Sequence, residues 1–143
     1  MILKYIIKMS DFIQRVKELK LPTGEFMVCG SGIMDVFDIR KAQDIDILVS
    51  PELFSILEKK QGWKRHYKYP TTLEHPLGIA GAKQTLDFMQ ENYSLQEALP
   101  FAIIIDGISF MGFEMLLNAK RQLAREKDFE DISLIENYLS NSS

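Results

Sequence analysis

The alternation of apolar and polar positions divides the chain into short strands and helices. Phe12, Ile13, Val16 and Leu19 recur at helical spacing, with Ser10-Asp11 placed to cap the helix and Leu21-Pro22-Thr23-Gly24 to end it. Phe26-Met27-Val28-Cys29 is an unbroken apolar run bounded by glycines, the pattern of a buried strand. Gly30-Ser31-Gly32 then opens a short amphipathic segment carrying Ile33, Met34, Val36 and Phe37. Ile45-Asp46-Ile47-Leu48-Val49 is the clearest strand. Behind it, Ser50 caps a helix, Pro51 takes its first position and Glu52 its first turn. That helix runs through Leu53, Phe54, Ile56 and Leu57 and ends near Gly62.

From Trp63 to Phe88 the pattern gives short strands and loops, with Thr85-Leu86-Asp87-Phe88-Met89 as one strand. Phe101–Ile105 and Ile108–Met111 are two more, joined by Asp106-Gly107, a two-residue hairpin signal. Phe113, Leu116, Leu117 and Leu123 mark one tail helix, and Ile132, Leu134, Ile135, Tyr138 and Leu139 a second. With no repeat and no linker over residues 1–143, these elements predict one α/β (α+β) domain, a mixed sheet flanked by helices with helices at its C-terminus.

Composition narrows the function classes. The chain is 46% hydrophobic, enough for a core and too much for a disordered segment. A net charge of -3, from 17 basic and 20 acidic residues, gives no general attraction to nucleic-acid phosphates. One cysteine, Cys29, excludes a disulfide framework and a cysteine metal cluster and suits a reducing cytoplasm. The apolar run in Met1–Ser10 is broken by Lys4 and Lys8 and is too short for a signal-peptide core with flanks. No stretch approaches the ~20 apolar residues of a membrane span. The expectation is a soluble, cytoplasmic protein with no membrane partner.

Candidate chemistry lies in Gly30-Ser31, twelve residues, then Asp44-Ile45-Asp46. Two acids spaced by two on a strand leave the same face. They repel unless a cation sits between them, and magnesium takes one or two carboxylates plus water and phosphate oxygens. Gly30 lets backbone approach a ligand, and Ser31 adds a hydroxyl at a helix start suited to phosphate. Asp87, flanked by Leu86 and Phe88, is the candidate third acid of a two-metal site and a candidate general base. Lys120 and Lys127 are candidates for triphosphate contact. The plainer reading makes Lys120, Arg121, Arg125 and Lys127 a solvated helix face, with Asp128 capping the last helix and Asp131 pairing with Arg125 or Lys127. Likewise Asp-x-Asp arises by chance, and Gly30 and Gly32 can be simple turn residues. Lys59, Lys60, Lys64, Arg65, His66 and Lys68 form a basic cluster with Trp63 and Tyr67 interleaved, which fits either nucleic-acid contact or a surface loop. His66 and His75 lack metal-ligand spacing and read as surface residues.

The Gly-Ser turn, the Asp-x-Asp strand and the later acidic strand resemble the nucleotidyltransferase fold of DNA polymerase beta. Asp38-Ile39-Arg40, Asp44-Ile45-Asp46, Ile104-Ile105-Asp106-Gly107 and the tail Lys120…Arg125-Glu126-Lys127-Asp128…Asp131-Ile132 resemble small bacterial nucleotidyltransferase-like proteins related to abortive-infection toxins. The resemblance runs from about Glu25 to Leu139. It implies transfer of a nucleoside monophosphate from ATP or another nucleoside triphosphate, with Mg2+ or Mn2+, to a hydroxyl or phosphate on a small molecule, protein or RNA. Asp44 and Asp46 match the metal-binding pair, Gly30 and Ser31 the phosphate turn, and Asp87 the third acid by order. The segment Gly62–Thr85 matches nothing, which leaves the acceptor open. The alternative is a catalytically silent binding or regulatory module of the same fold, one half of a toxin–antitoxin-like pair.

Overall fold

Residues 11–69, 71–76, 80–88 and 91–141 are described by a computed structural model, without the side chains of 86–91. The apolar run Met1–Ser10 and the cap at Ser10 lie outside the described residues, as does Met89.

The two strands that the apolar runs predict form the centre of a seven-stranded mixed sheet. These are β1 (Phe26–Cys29) and β2 (Ile45–Val49), paired antiparallel with Cys29 opposite Asp46 and Phe26 opposite Val49. Every residue of the two is buried except Asp46, because helices cover the sheet where its side chains are apolar. On the β2 side, β5 (Ala80–Lys83) runs parallel and sets Gly81 level with Asp46. Antiparallel β4 (Leu73–His75) and β3 (Lys64–Arg65) extend that edge. On the β1 side, β9 (Ile108–Met111) is parallel to β1 and carries β8 (Ala102–Ile105) at the other edge. Asp106 and Gly107 join these last two with φ of 52° and 77°, the left-handed pair that a type I′ hairpin needs. The order is β3-β4-β5-β2-β1-β9-β8, and β6 (Leu86–Phe88) and β7 (Glu91–Tyr93) form a separate two-stranded sheet.

Six helices occur among the described residues. They are α1 (Asp11–Glu18), α2 (Gly32–Val36), α3 (Pro51–Glu58), α4 (Leu95–Ala98), α5 (Phe113–Leu123) and α6 (Glu126–Asn141). α1 buries Phe12, Ile13 and Val16, and Phe12 meets Phe110 of β9 with ring centroids 6.4 Å apart. Gly32 makes the junction of α1, β1 and α2 possible. A Cβ there would lie 2.6 Å from the Phe12 ring and 2.8 Å from Val28 Cγ1. α3 starts as expected, with the Leu53 N–H donating to Ser50 Oγ at 3.0 Å. It stops at Glu58, short of Gly62. α4 was not legible beforehand, although Ser94 and Glu97 form a capping box.

Candidate active site

Antiparallel pairing brings the end of β1 to the beginning of β2, so the Gly30–Ser31 turn emerges beside Asp44 and Asp46. Gly30 has φ +65°, and a Cβ on it would sit 3.4 Å from Asp46 Oδ2. The turn therefore approaches the acid at van der Waals distance with no side chain between. Asp44 directly precedes β2 and Asp46 is its second residue, a spacing of two that suits one face, while Ile45 and Ile47 are fully buried. Protein around the cleft desolvates the Asp46 carboxyl and raises its pKa, and Asp44 adds to the rise. Lys83 and Lys127 oppose it. Cys29, next on the same row, has its thiol pushed up to about 12 by burial, with Asp46 contributing and Lys83 opposing. A thiol so perturbed is neither a nucleophile nor a metal ligand at neutral pH.

The wall facing the acids is an ion-pair network. Arg40 grips Asp131 with Nε and Nη2, each at 2.7 Å, and its Nη2 also donates to Ser31 Oγ at 2.8 Å. Lys120 Nζ donates to Asp131 Oδ2 at 2.8 Å and to Ser31 Oγ at 3.4 Å, with Asp128 Oδ1 at 3.7 Å. Lys120, Asp128 and Asp131 are all buried. Asp128 is the third residue of α6, not its N-cap. It reaches back to the Arg125 N–H at 3.0 Å and pairs with the Arg125 guanidinium. Those bonds hold the Asp128 carboxyl below the usual range. Burial alone would raise Asp131, but hydrogen bonds from Arg40 and Lys120 outweigh it and the net shift is downward.

The tail is thus not one solvated face. Lys120 is buried, Arg121 pairs with Glu136 at 2.8 Å, and Asp131 takes Arg40 and Lys120 instead of Arg125 or Lys127. Lys127 is exposed and forms no ion pair with a described residue.

Gly30, Ser31, Asp44, Asp46, Lys120 and Lys127 line one cleft of about 730 Å³. Asp87 does not stand on a strand next to the acids. It lies on β6 of the separate sheet, paired with Asn92. The reason is direction. β5 enters the main sheet at the acid end, parallel to β2, and the chain has left that sheet before reaching residue 87. The position beside Asp46 belongs to Gly81. Among the described residues no three His, Cys, Asp or Glu side chains are placed to share a metal ion. Among the described residues, Asp44 and Asp46 are the carboxylates that an ion in this cleft would meet.

Three nearby residues escaped sequence reasoning. Lys83 lines the cleft from β5, Arg40 anchors Ser31, and Glu74 faces Asp44 and Asp46 across a second cavity of about 760 Å³. Arg40 had a signal in Asp38-Ile39-Arg40, whereas Lys83 and Glu74 depend on strand pairing. In the basic cluster, Trp63 is buried and packs on His75, their ring centroids 5.1 Å apart, so it is no stacking platform. Arg65 pairs with Glu58, and Tyr67 is exposed. No described helix is long and apolar enough to cross a membrane.

Comparison with protein-family models, with curated proteins and with solved structures finds no match.

Proposed function

We propose that the cleft binds a nucleoside triphosphate with magnesium and transfers its nucleoside monophosphate to an acceptor. One arrangement carries this reading. The Asp44–Asp46 pair and the Gly30–Ser31 turn stand at the adjoining ends of two paired strands and open into one cleft with Lys83 and Lys127. The donor set fits the metal, because two hard carboxylates spaced by two residues line the same open cleft. Bound there, magnesium would neutralise charge on the α-phosphate.

The chain's own groups hold the phosphates. Ser31 Oγ accepts from Arg40 and Lys120, which leaves its proton for a phosphate oxygen. Lys120, fixed by two buried aspartates, positions Ser31 and fastens α6 to the cleft. Lys127, exposed and without an ion pair to any described residue, offers its charge to the distal phosphates and the departing pyrophosphate. The acceptor oxygen attacks the α-phosphorus, and the bond to the bridging oxygen of the β-phosphate breaks.

A second reading, a binding module without turnover, draws on Gly81, since the β5 position beside Asp46 bears no carboxylate. One experiment separates the two. Each triphosphate is tested with and without Mg2+ for thermal stabilisation, and α-labelled triphosphate is then offered to fractions of cell extract. Ligand at a hundred times Kd stabilises the native state by about 2.7 kcal/mol. Stabilisation with transfer supports the enzyme, stabilisation alone the silent module, and neither removes the nucleotide reading.

A further inference from the structure

Resting on that reading, we infer that the second cavity receives an acceptor hydroxyl and that Glu74 is the base that takes its proton. Register carries the argument. Asp46 pairs with Gly81 on β5, and Gly81 pairs with Glu74 on β4. Laterally paired residues project to the same side of a sheet, so Asp46 and Glu74 share a face with only a glycine between them. Two strand spacings separate their backbones by about 10 Å. A Cβ on Gly81 would lie 3.7 Å from Asp46 Oδ1 and 3.6 Å from Thr72 Cγ2, within that gap. Glycine at 81 therefore keeps open a passage from one carboxylate to the other. Asp44, Asp46, Gly81 and Glu74 all line the cavity, and Asp44 and Asp46 also line the cleft that holds Ser31 and Lys127. The acid pair is the boundary between two compartments, one cationic and one facing Glu74.

An imidazole ring stands near Glu74. His66 Nδ1 accepts the backbone N–H groups of Lys68 and Tyr69 at 3.0 and 3.1 Å. That assigns the ring proton to Nε2, which faces Glu74 Oε2 at 3.8 Å. At that distance the imidazole lies beside the carboxylate without a hydrogen bond to it, and the Glu74 side chain stays open to the cavity that it lines.

The base selects the acceptor. A hydroxyl brings a proton that must be removed, which a carboxylate can take, whereas an ionised phosphate has none to give up and needs no base. The hydroxyl oxygen forms the new bond to the α-phosphorus as its proton passes to Glu74. The bond to the β-phosphate breaks, and its electron pair leaves on pyrophosphate. The product is a phosphodiester.

The test uses the full chain. Binding of Mg·ATP and of α,β-methylene-ATP is measured by calorimetry. Transfer is followed from α-labelled triphosphates to the nucleic-acid, protein and small-molecule fractions of cell extract. Glu74→Gln should bind both nucleotides within about two-fold of wild type and lose transfer by roughly 10²-fold or more. Phosphorus NMR of the product should show a diester. Retained transfer, a diphosphate linkage, or wild-type binding with no transfer to any fraction overturns the inference. Absence of wild-type binding instead removes the nucleotide reading beneath it. Should Glu74→Gln prove unstable, Gly81→Ala decides. Its methyl makes ordinary contacts but enters the passage, so transfer should fall while nucleotide affinity holds, and unchanged transfer overturns the assignment.

Discussion

Replacing Asp131 with alanine should destabilise the protein far more than loss of a surface ion pair would. Asp131 is only 4% exposed and accepts three charge-assisted hydrogen bonds, two from Arg40 and one from Lys120. Its removal leaves Lys120, itself 7% exposed, with Asp128 at 3.7 Å as its remaining carboxylate. Breaking a buried pair from one side costs about 3–5 kcal/mol. Arg40 reaches solvent, which discounts its share, and Asp128 compensates in part. The expected loss is about 3 kcal/mol, a fall of roughly 10 °C in melting temperature for a domain of this size. Urea and thermal unfolding followed by circular dichroism measure it, with the urea slope unchanged. Acid provides an independent check. The folded state lowers the Asp131 pKa, so its contribution is complete above the unfolded value of about 3.9. It is lost as pH falls through the folded value. The gap between wild type and variant should therefore be constant near neutrality and close below about pH 4. A loss under ~1 kcal/mol, or a gap indifferent to acid, would refute the claim that this network holds α6 to the cleft.

Asp46→Asn should melt slightly higher than wild type at neutral pH, because the folded state disfavours the charged carboxylate, and should lose magnesium-dependent nucleotide stabilisation. A variant that unfolds would make Asp46 structural. Lys127→Gln should leave stability unchanged and weaken triphosphate binding roughly ten-fold, with less effect on the monophosphate. Equal weakening of both would remove Lys127 from the phosphate site. Lys120→Gln should destabilise whether or not nucleotide is present, since Asp131 and Asp128 then lose a buried counterion; a melting temperature equal to wild type would contradict that. Gly32→Ala should cost about 1–3 kcal/mol by overpacking against Phe12 and Val28, read from the urea midpoint, and a neutral effect would mean that α2 shifts freely.

Sequence alone determined the parts whose signal is local. Phe26–Cys29 and Ile45–Val49 were legible as strands because short, β-branched-rich apolar stretches bounded by glycine, proline or polar residues suit a sheet covered by helices. Asp106-Gly107 is a hairpin because its left-handed backbone suits those residues. The Gly30-Ser31 turn and the Asp44–Asp46 pair were legible for the same reason, since a two-residue spacing on a strand sets both acids on one face whatever surrounds it. Which strand lies beside β2 is a different kind of fact. Ala80-Gly81-Ala82 carries almost no strand signal, because small residues show little periodicity. It becomes β5 only through its backbone pairing with β2 on one side and β4 on the other, so the neighbour of Asp46 is Gly81 and Asp87 falls on another sheet. Asp131 and Arg40 stand 91 positions apart, beyond any pattern in the chain, and charge type alone allowed Asp131 several partners. Tertiary packing chose among them, because a buried carboxylate must be matched by whichever cations the fold brings within hydrogen-bond reach.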